Sequence, residues 1–315
     1  MTTPLDPAAP SGAASAPFGT AQAPFGTMLT AMATAFRPDG TLDLEGTQRI
    51  AKHLVATGND GLVVSGTTGE SATTTKEEDG EILAAVRDAV GPEVVLVAGV
   101  GTNDTSTSTF LARQARERGA DGVLLVTPYY NKPGQRGIVH HFRQVIDAAE
   151  LPVMLYDVPG RTGSQIALAS YRELVGLEPV VAVKDAVGDM PRAAQLVDLG
   201  YAVYSGDDVN TLGFLAHGAV GLVSVVGHVA GRELATMIRT FLSGNHDGAR
   251  EIFLRLLPAF EAVMGVANYG ATTAKASLEL LGVLDNRHVR SPLVALDDDE
   301  LAALRSGLAA AGLLP

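Results

Sequence analysis

Lys184 is the residue best placed to do chemistry, because it directly follows the apolar run Val180-Val181-Ala182-Val183. A lysine at the end of a buried strand has its stem in an apolar mouth, and lysine is rarely buried without a reason. Desolvation disfavours the ammonium and yields free amine, which attacks carbonyl groups. Two other arrangements fit the same position: a pair with Asp185 or another carboxylate, and a side chain that snorkels to the rim. Tyr156 and Tyr130 carry hydroxyls able to pass a proton, and Thr67 and Thr68 can link them, since a hydroxyl both donates and accepts. Taken singly, each tyrosine is more simply core packing with one satisfied hydroxyl. Arg161 can clasp a carboxylate through two parallel bonds, with an ordinary surface ion pair as the competing reading. Gly66-Thr67-Thr68-Gly69 resembles a phosphate-cradling turn, but no lysine of the Walker type follows it.

The elements that must position these residues repeat along the chain. Short apolar runs at 28–33, 61–64, 94–99, 122–126, 153–156, 180–183, 201–204 and 219–225 alternate with longer amphipathic segments. Leu44, Thr47, Ile50, Ala51, Leu54 and Val55, for example, fall on one face of a helix. Continuous apolar runs are what strands buried on both faces of a parallel sheet require. Eight such strand–helix units predict an α/β fold, a (β/α)8 barrel, with its chemistry at the C-terminal ends of the strands. A doubly wound sheet usually has fewer strands and a glycine-rich loop after the first, and none follows Thr30. Helical spacing at 232–242, 248–264, 271–281 and 300–311 adds a C-terminal extension. The expected layout is a leader at 1–27, the barrel at 28–235 and helices at 236–315. The leader is rich in Ala, Pro, Gly, Ser and Thr and nearly repeats itself, in Ala16-Pro-Phe-Gly-Thr20 and Ala23-Pro-Phe-Gly-Thr27, so disorder is expected there.

Composition removes several classes of function. A net charge of -12 argues against a nucleic-acid or anionic-membrane surface. With no cysteine, disulfides, thiolate metal sites and a cysteine nucleophile are excluded, which fits a reducing cytoplasm. The first basic residue is Arg37, so the start lacks the positive region of a secretory signal, and no apolar run approaches the ~18 residues that span a bilayer. A soluble cytoplasmic protein is expected. The histidines form no ligand set: His140 and His141 are adjacent and point about 100° apart on a helix, and His217 and His228 are isolated. No metal site is expected.

In combination, five segments resemble the pyruvate-dependent class I aldolases of the dihydrodipicolinate synthase and N-acetylneuraminate lyase family. They are Gly66-Thr-Thr-Gly-Glu70, Tyr129-Tyr130-Asn-Lys-Pro133, Tyr156-Asp-Val-Pro-Gly-Arg-Thr-Gly163, Val183-Lys184-Asp185 and Ser205-Gly-Asp-Asp208. The resemblance runs from about Phe25 to the C-terminus. It implies that Lys184 forms the pyruvate imine, a protonated electron sink that makes removal of a methyl proton feasible without metal or organic cofactor. It implies that Tyr156 donates and accepts protons in a relay with Thr67 and with Tyr130 of a neighbouring subunit, in a dimer or dimer of dimers. Thr68 and the backbone of Val223 would hold the pyruvate carboxylate. Arg161 would hold the carboxylate of aspartate semialdehyde, and Gly206 would line the pocket. Members acting on sugar acids usually lack an arginine after this Pro-Gly turn, so Arg161 favours the condensing branch over a lyase for a 2-keto-3-deoxy sugar acid or hydroxy-oxoglutarate. A barrel that has lost catalysis is the other alternative, and joint retention of these side chains opposes it. One departure is Ala35, where the family usually has a proline, which can loosen the turn after the first strand; Asp157, where many relatives have asparagine, is similar to the actinobacterial branch.

Overall fold

The computed structural model describes residues 23–314. Eight strands form a closed parallel barrel in chain order, with β1 (Met28–Ala31) pairing β8 (Gly221–Ser224) to complete it. Between them lie β2 (Gly61–Val64), β3 (Val95–Gly99), β4 (Gly122–Val126), β5 (Val153–Asp157), β6 (Val180–Asp185) and β7 (Ala202–Ser205). The connecting helices are α1 (Leu44–Ala56), α2 (Lys76–Val90), α3 (Thr105–Glu117), α4 (Gln135–Ala149), the short α5 (Pro159–Thr162), α6 (Leu168–Leu174), α7 (Met190–Asp198) and α8 (Thr211–Ala216). After β8 come α9 (Gly227–Leu242), α10 (His246–Met264), α11 (Ala271–Leu280) and α12 (Asp298–Ala310). The expected barrel and extra helices are both present.

The apolar runs are continuous because the two strand faces are both buried. Leu29, Ala31, Val63, Val97, Leu124, Met154, Ala182 and Val223 fill the interior, while Leu62, Val64, Leu96, Val123, Leu155 and Val183 pack outward against the helices. Helix starts are set by side chains that accept orphan backbone N–H groups, among them Asp43, Asp104 and Asp189, with reciprocal Thr75–Glu78 and Asp297–Glu300 boxes.

Residues 1–22 of the expected leader lie outside the described residues. Its last part is packed: Phe25 is buried beneath the interior, and its N–H donates to the Tyr204 hydroxyl at 3.2 Å. Gly26 takes φ 86°, and a Cβ there would lie 2.4 Å from Asp60 Cβ. Asp60 in turn accepts from Thr27 N and Met28 N. Residues 23–27 therefore pack with the barrel, because the bottom of a closed barrel needs a plug. The boundary at 235/236 falls inside α9, whose Leu234 and Ile238 share one apolar cluster with Met28, Leu222, Phe260, Leu304 and Leu308. At Ala35 the turn is not loosened: its N–H, which a proline would lack, donates to Thr47 Oγ1 at 3.0 Å. Among the described residues, no helix is long and apolar enough to cross a membrane.

Candidate active site

Side chains alternate along β6, so Lys184 shares the inner face with Ala182 while Val183 faces the helices. It is buried, and the β5–β6 register sets it beside Tyr156. The Nζ lies 4.4 Å from the Tyr156 ring centroid. Burial pushes the Lys184 amine down to about 8; Asp208 opposes this and the positive charge of Arg161 adds to it. About one molecule in ten then carries the free amine at pH 7. Asp208 neutralises the site only from a distance, because its carboxylate accepts from Ser224 Oγ, Val225 N (3.0 Å) and Val226 N (3.3 Å). Burial pushes the Tyr156 phenol up to about 12, against the opposing pull of Arg161 and with help from Tyr269 and Asp207. The phenol is therefore a proton donor at neutral pH.

Gly206 closes against this pair: its N–H donates to Asp185 O at 2.7 Å, and a Cβ would lie 2.9 Å from Ala186 Cβ. Val223 is buried in the interior on β8, and Thr68 is buried in the turn after β2. Arg161, on α5, is exposed at the mouth and makes no ion pair among the described residues. Thr67 is exposed, and Tyr130 is 87% exposed at φ 71°. Among the described residues, no hydrogen bond joins Thr67 or Tyr130 to Tyr156. The structure thus brings Lys184, Tyr156, Val223 and Gly206 together and leaves Thr67 and Tyr130 at the rim.

Three sets of contacts hold these residues from behind. On the outer face of β5 and β6, buried Arg192 of α7 donates to Asp157 Oδ2 (2.6 Å), Asp185 Oδ2 (2.9 Å) and Ile166 O (2.9 Å). Asp157 and Asp185 directly follow Tyr156 and Lys184, so one guanidinium ties the two strands where the inner pair stands. Asp157 Oδ1 has no partner among the described residues, and burial pushes this carboxyl up to about 6, with Arg192 opposing. The Gly66–Glu70 turn ends on Glu70 at φ 61°, whose carboxylate accepts from Lys275 Nζ and from Arg290 N at 2.8 Å. His228 accepts from Ala33 N (3.0 Å) through Nε2 and faces Val225 O (2.7 Å) through Nδ1. Burial holds its imidazolium form down, to about 4, so His228 works as a neutral brace between β1 and β8.

Sequence reasoning missed Arg192, the Glu70–Lys275 pair and Tyr269. Arg192 reads as one more polar residue in the first turn of a helix. Lys275 lies 205 residues from Glu70, so no local pattern connects them. Tyr269 belongs to the loop before α11, beyond the barrel, and an aromatic next to a turn glycine is its only signal.

The model of the Dihydrodipicolinate synthetase family matches residues 24–311. Over 288 residues the chain is 52% identical to the 4-hydroxy-tetrahydrodipicolinate synthase of Acidothermus cellulolyticus, covering 90% of this chain and 92% of that one. It is 50% identical over 287 residues to 4-hydroxy-tetrahydrodipicolinate synthase 2 of Streptomyces coelicolor, covering 91% and 95%. Among solved structures, a dihydrodipicolinate synthase from Bacillus anthracis superimposes with a TM-score of 0.87 at 38% identity, over 92% of this chain and 99% of that one. The enzyme from Cyanidioschyzon merolae with lysine bound gives 0.88 at 38% identity, over 92% and 99%. A family match across the whole barrel and its C-terminal helices agrees with an inward lysine at the end of β6, and the chain belongs to the dihydrodipicolinate synthetase family.

Proposed function

We propose that Lys184 forms a Schiff base with pyruvate and that the resulting enamine condenses with L-aspartate 4-semialdehyde. The activity is 4-hydroxy-tetrahydrodipicolinate synthesis in the lysine pathway, a lyase reaction of the class I aldolase type. The observation that carries the residue assignment is a buried, inward amine beside a phenol, with no ion pair to a carboxylate among the described residues. The free amine adds to the keto carbon of pyruvate, and Tyr156 gives its proton to the departing hydroxyl, which leaves as water. The Tyr156 phenolate then takes a methyl proton, and the iminium draws the electron pair into an enamine. The enamine carbon attacks the aldehyde carbon, and Tyr156 protonates the new alkoxide. The amino group of the semialdehyde displaces Lys184 from the iminium carbon and closes the ring, and the proton it sheds returns to Tyr156. The protonated imine is the electron sink throughout, so no cofactor is needed.

Thr68 and the Val223 backbone hold the pyruvate carboxylate in this reading, and the unpaired Arg161 fork takes the carboxylate of the semialdehyde. Gly206 lines the pocket, and its missing Cβ lets it lie against Asp185 and Ala186. Borohydride with pyruvate tests the assignment, since it reduces an imine to a stable amine. Peptide mapping is expected to place the adduct on Lys184, and an adduct on Lys275, Lys52 or Lys132 would overturn it.

Thr67 joins the proton relay with Tyr156 of its own subunit and Tyr130 completes that of a neighbouring subunit, so the working unit is a dimer or a dimer of dimers in the cytoplasm. Support comes from a large ring left almost wholly exposed on a loop anchored by Asn131 Nδ2 to Asn103 O at 2.8 Å. Tyr130→Phe and Lys184→Ala variants refolded together should recover activity that neither has alone. Confirmed hybrid dimers with no recovery would count against shared sites.

A further inference from the structure

Tyr269 lies at the mouth although it comes from the C-terminal helices. The Arg161 Cζ sits 5.0 Å from its ring centroid, and the ring is 38% exposed. Gly270, at φ 107°, turns the chain into α11, and a Cβ there would lie 4.0 Å from Arg161 Nη2. The loop is anchored on both sides of Tyr269. Asn268 Nδ2 donates to Val294 O at 2.6 Å, and Gly270 N donates to Thr273 Oγ1 at 3.1 Å. One turn further, α11 carries Lys275, which is bound to Glu70 at the end of the Thr67–Thr68 turn. Tyr269 is thus fixed with respect to Arg161 rather than swept across it by chance.

A guanidinium offers two kinds of surface. Its face stacks on an aromatic ring, and its edge carries the N–H groups that bind a carboxylate. The Arg161 Cζ lies over the Tyr269 ring, and among the described residues no hydrogen bond joins the two, so the ring consumes no donor. It also removes rotamer freedom that a solvent-exposed arginine would otherwise lose on binding. Because it raises the Tyr156 phenol, the Tyr269 hydroxyl is close enough to that site to be felt there. We propose that Tyr269 determines specificity for the second substrate by stacking on Arg161 and holding its edge open for the aldehyde's carboxylate. This rests on the condensation assigned above, and it concerns the step after the pyruvate imine has formed.

Steady-state kinetics on Tyr269→Leu, Tyr269→Phe and Tyr269→Trp test it. Loss of the ring in the leucine variant should raise KM for aspartate semialdehyde by about two- to thirtyfold, the range a cation–π contact is worth. The KM for pyruvate and borohydride trapping on the lysine should stay within about twofold of the parent. Phenylalanine and tryptophan, which keep an aromatic face, should restore most of the affinity. In an Arg161→Lys background the Tyr269→Leu effect should shrink to less than about twofold, because the stacked fork is gone. An equal rise in both KM values, no rise in either, or full persistence of the effect in the Arg161→Lys background would overturn the proposal. Failure of the parent protein to trap pyruvate would instead overturn the Schiff-base assignment.

Discussion

Lys184 and Lys275 are two buried lysines with nearly the same surroundings and opposite fates. Each lies against an aromatic ring, Lys184 at 4.4 Å from the Tyr156 centroid and Lys275 at 4.2 Å from that of Phe36. Burial is the main cause that pushes both amines down, in each case to about 8. The difference lies in what the nitrogen touches. Lys275 Nζ donates to the Glu70 carboxylate and to His288 O at 2.8 Å, so its charge is matched and the ammonium form, which has no lone pair to attack with, is favoured. Among the described residues, the carboxylate acting on Lys184 is that of Asp208, which is occupied by Ser224, Val225 and Val226. Depth alone therefore does not make a nucleophile. Under the Schiff-base proposal, the reactive amine is the one with no carboxylate within contact distance.

Exchanging what each lysine has lost or kept sharpens the comparison. Lys184→Ala should lower kcat by more than about a thousandfold, since the covalent step has no substitute. Its denaturant midpoint should hardly move, because an amine without an ion pair stabilises little. Glu70→Ala is the mirror image: it strands the Lys275 ammonium in the interior and should cost about 3–5 kcal/mol in urea unfolding. Lys275→Met should keep the borohydride adduct on Lys184. Equal stability losses in Lys184→Ala and Glu70→Ala would show that the two lysines are not distinguished by their partners.

A smaller effect is expected on the outer face of the same strands. Folding raises the Asp157 carboxyl from its ordinary value near 3.8 to about 6. The folded protein therefore keeps a proton there that the unfolded chain releases first. That contribution to stability is full below pH ~4 and is lost as pH rises through about 6. Asp157→Asn removes the titration, so it should raise the melting temperature at pH 7–8 by an amount worth about 1–3 kcal/mol and flatten the pH profile between about 4 and 6. The Arg192 bonds to Asp185 and to Ile166 O survive the change. A variant less stable than the parent at pH 8 would mean that the Arg192–Asp157 charge pair outweighs the burial cost.

The barrel was legible because strand direction and burial are local properties. Eight continuous apolar runs required strands buried on both faces, and Lys184 directly ends one of them. Tyr156 and Arg161 were legible for the same reason, each lying at or just past the end of such a run. Whether Lys184 was paired with Asp185 was not legible. The two are adjacent, and only the alternation within a closed barrel sends Asp185 outward to Arg192. The last residues of the expected leader looked like low-complexity chain, yet Phe25 is buried because a barrel needs its lower end filled. Thr67 and Tyr130 carry hydroxyls, but the chain leaves both exposed.

By itself, then, the sequence determined which apolar runs form buried strands and which polar side chains follow their C-terminal ends, since each depends on neighbours a few positions away. Only the tertiary structure decided the partners: Glu70 with Lys275 across 205 residues, Asp157 with Arg192 across 35, and Arg161 with Tyr269 from outside the barrel. Closing the barrel brings distant segments to one rim, and a hydrogen bond or ion pair depends on that distance rather than on residue type.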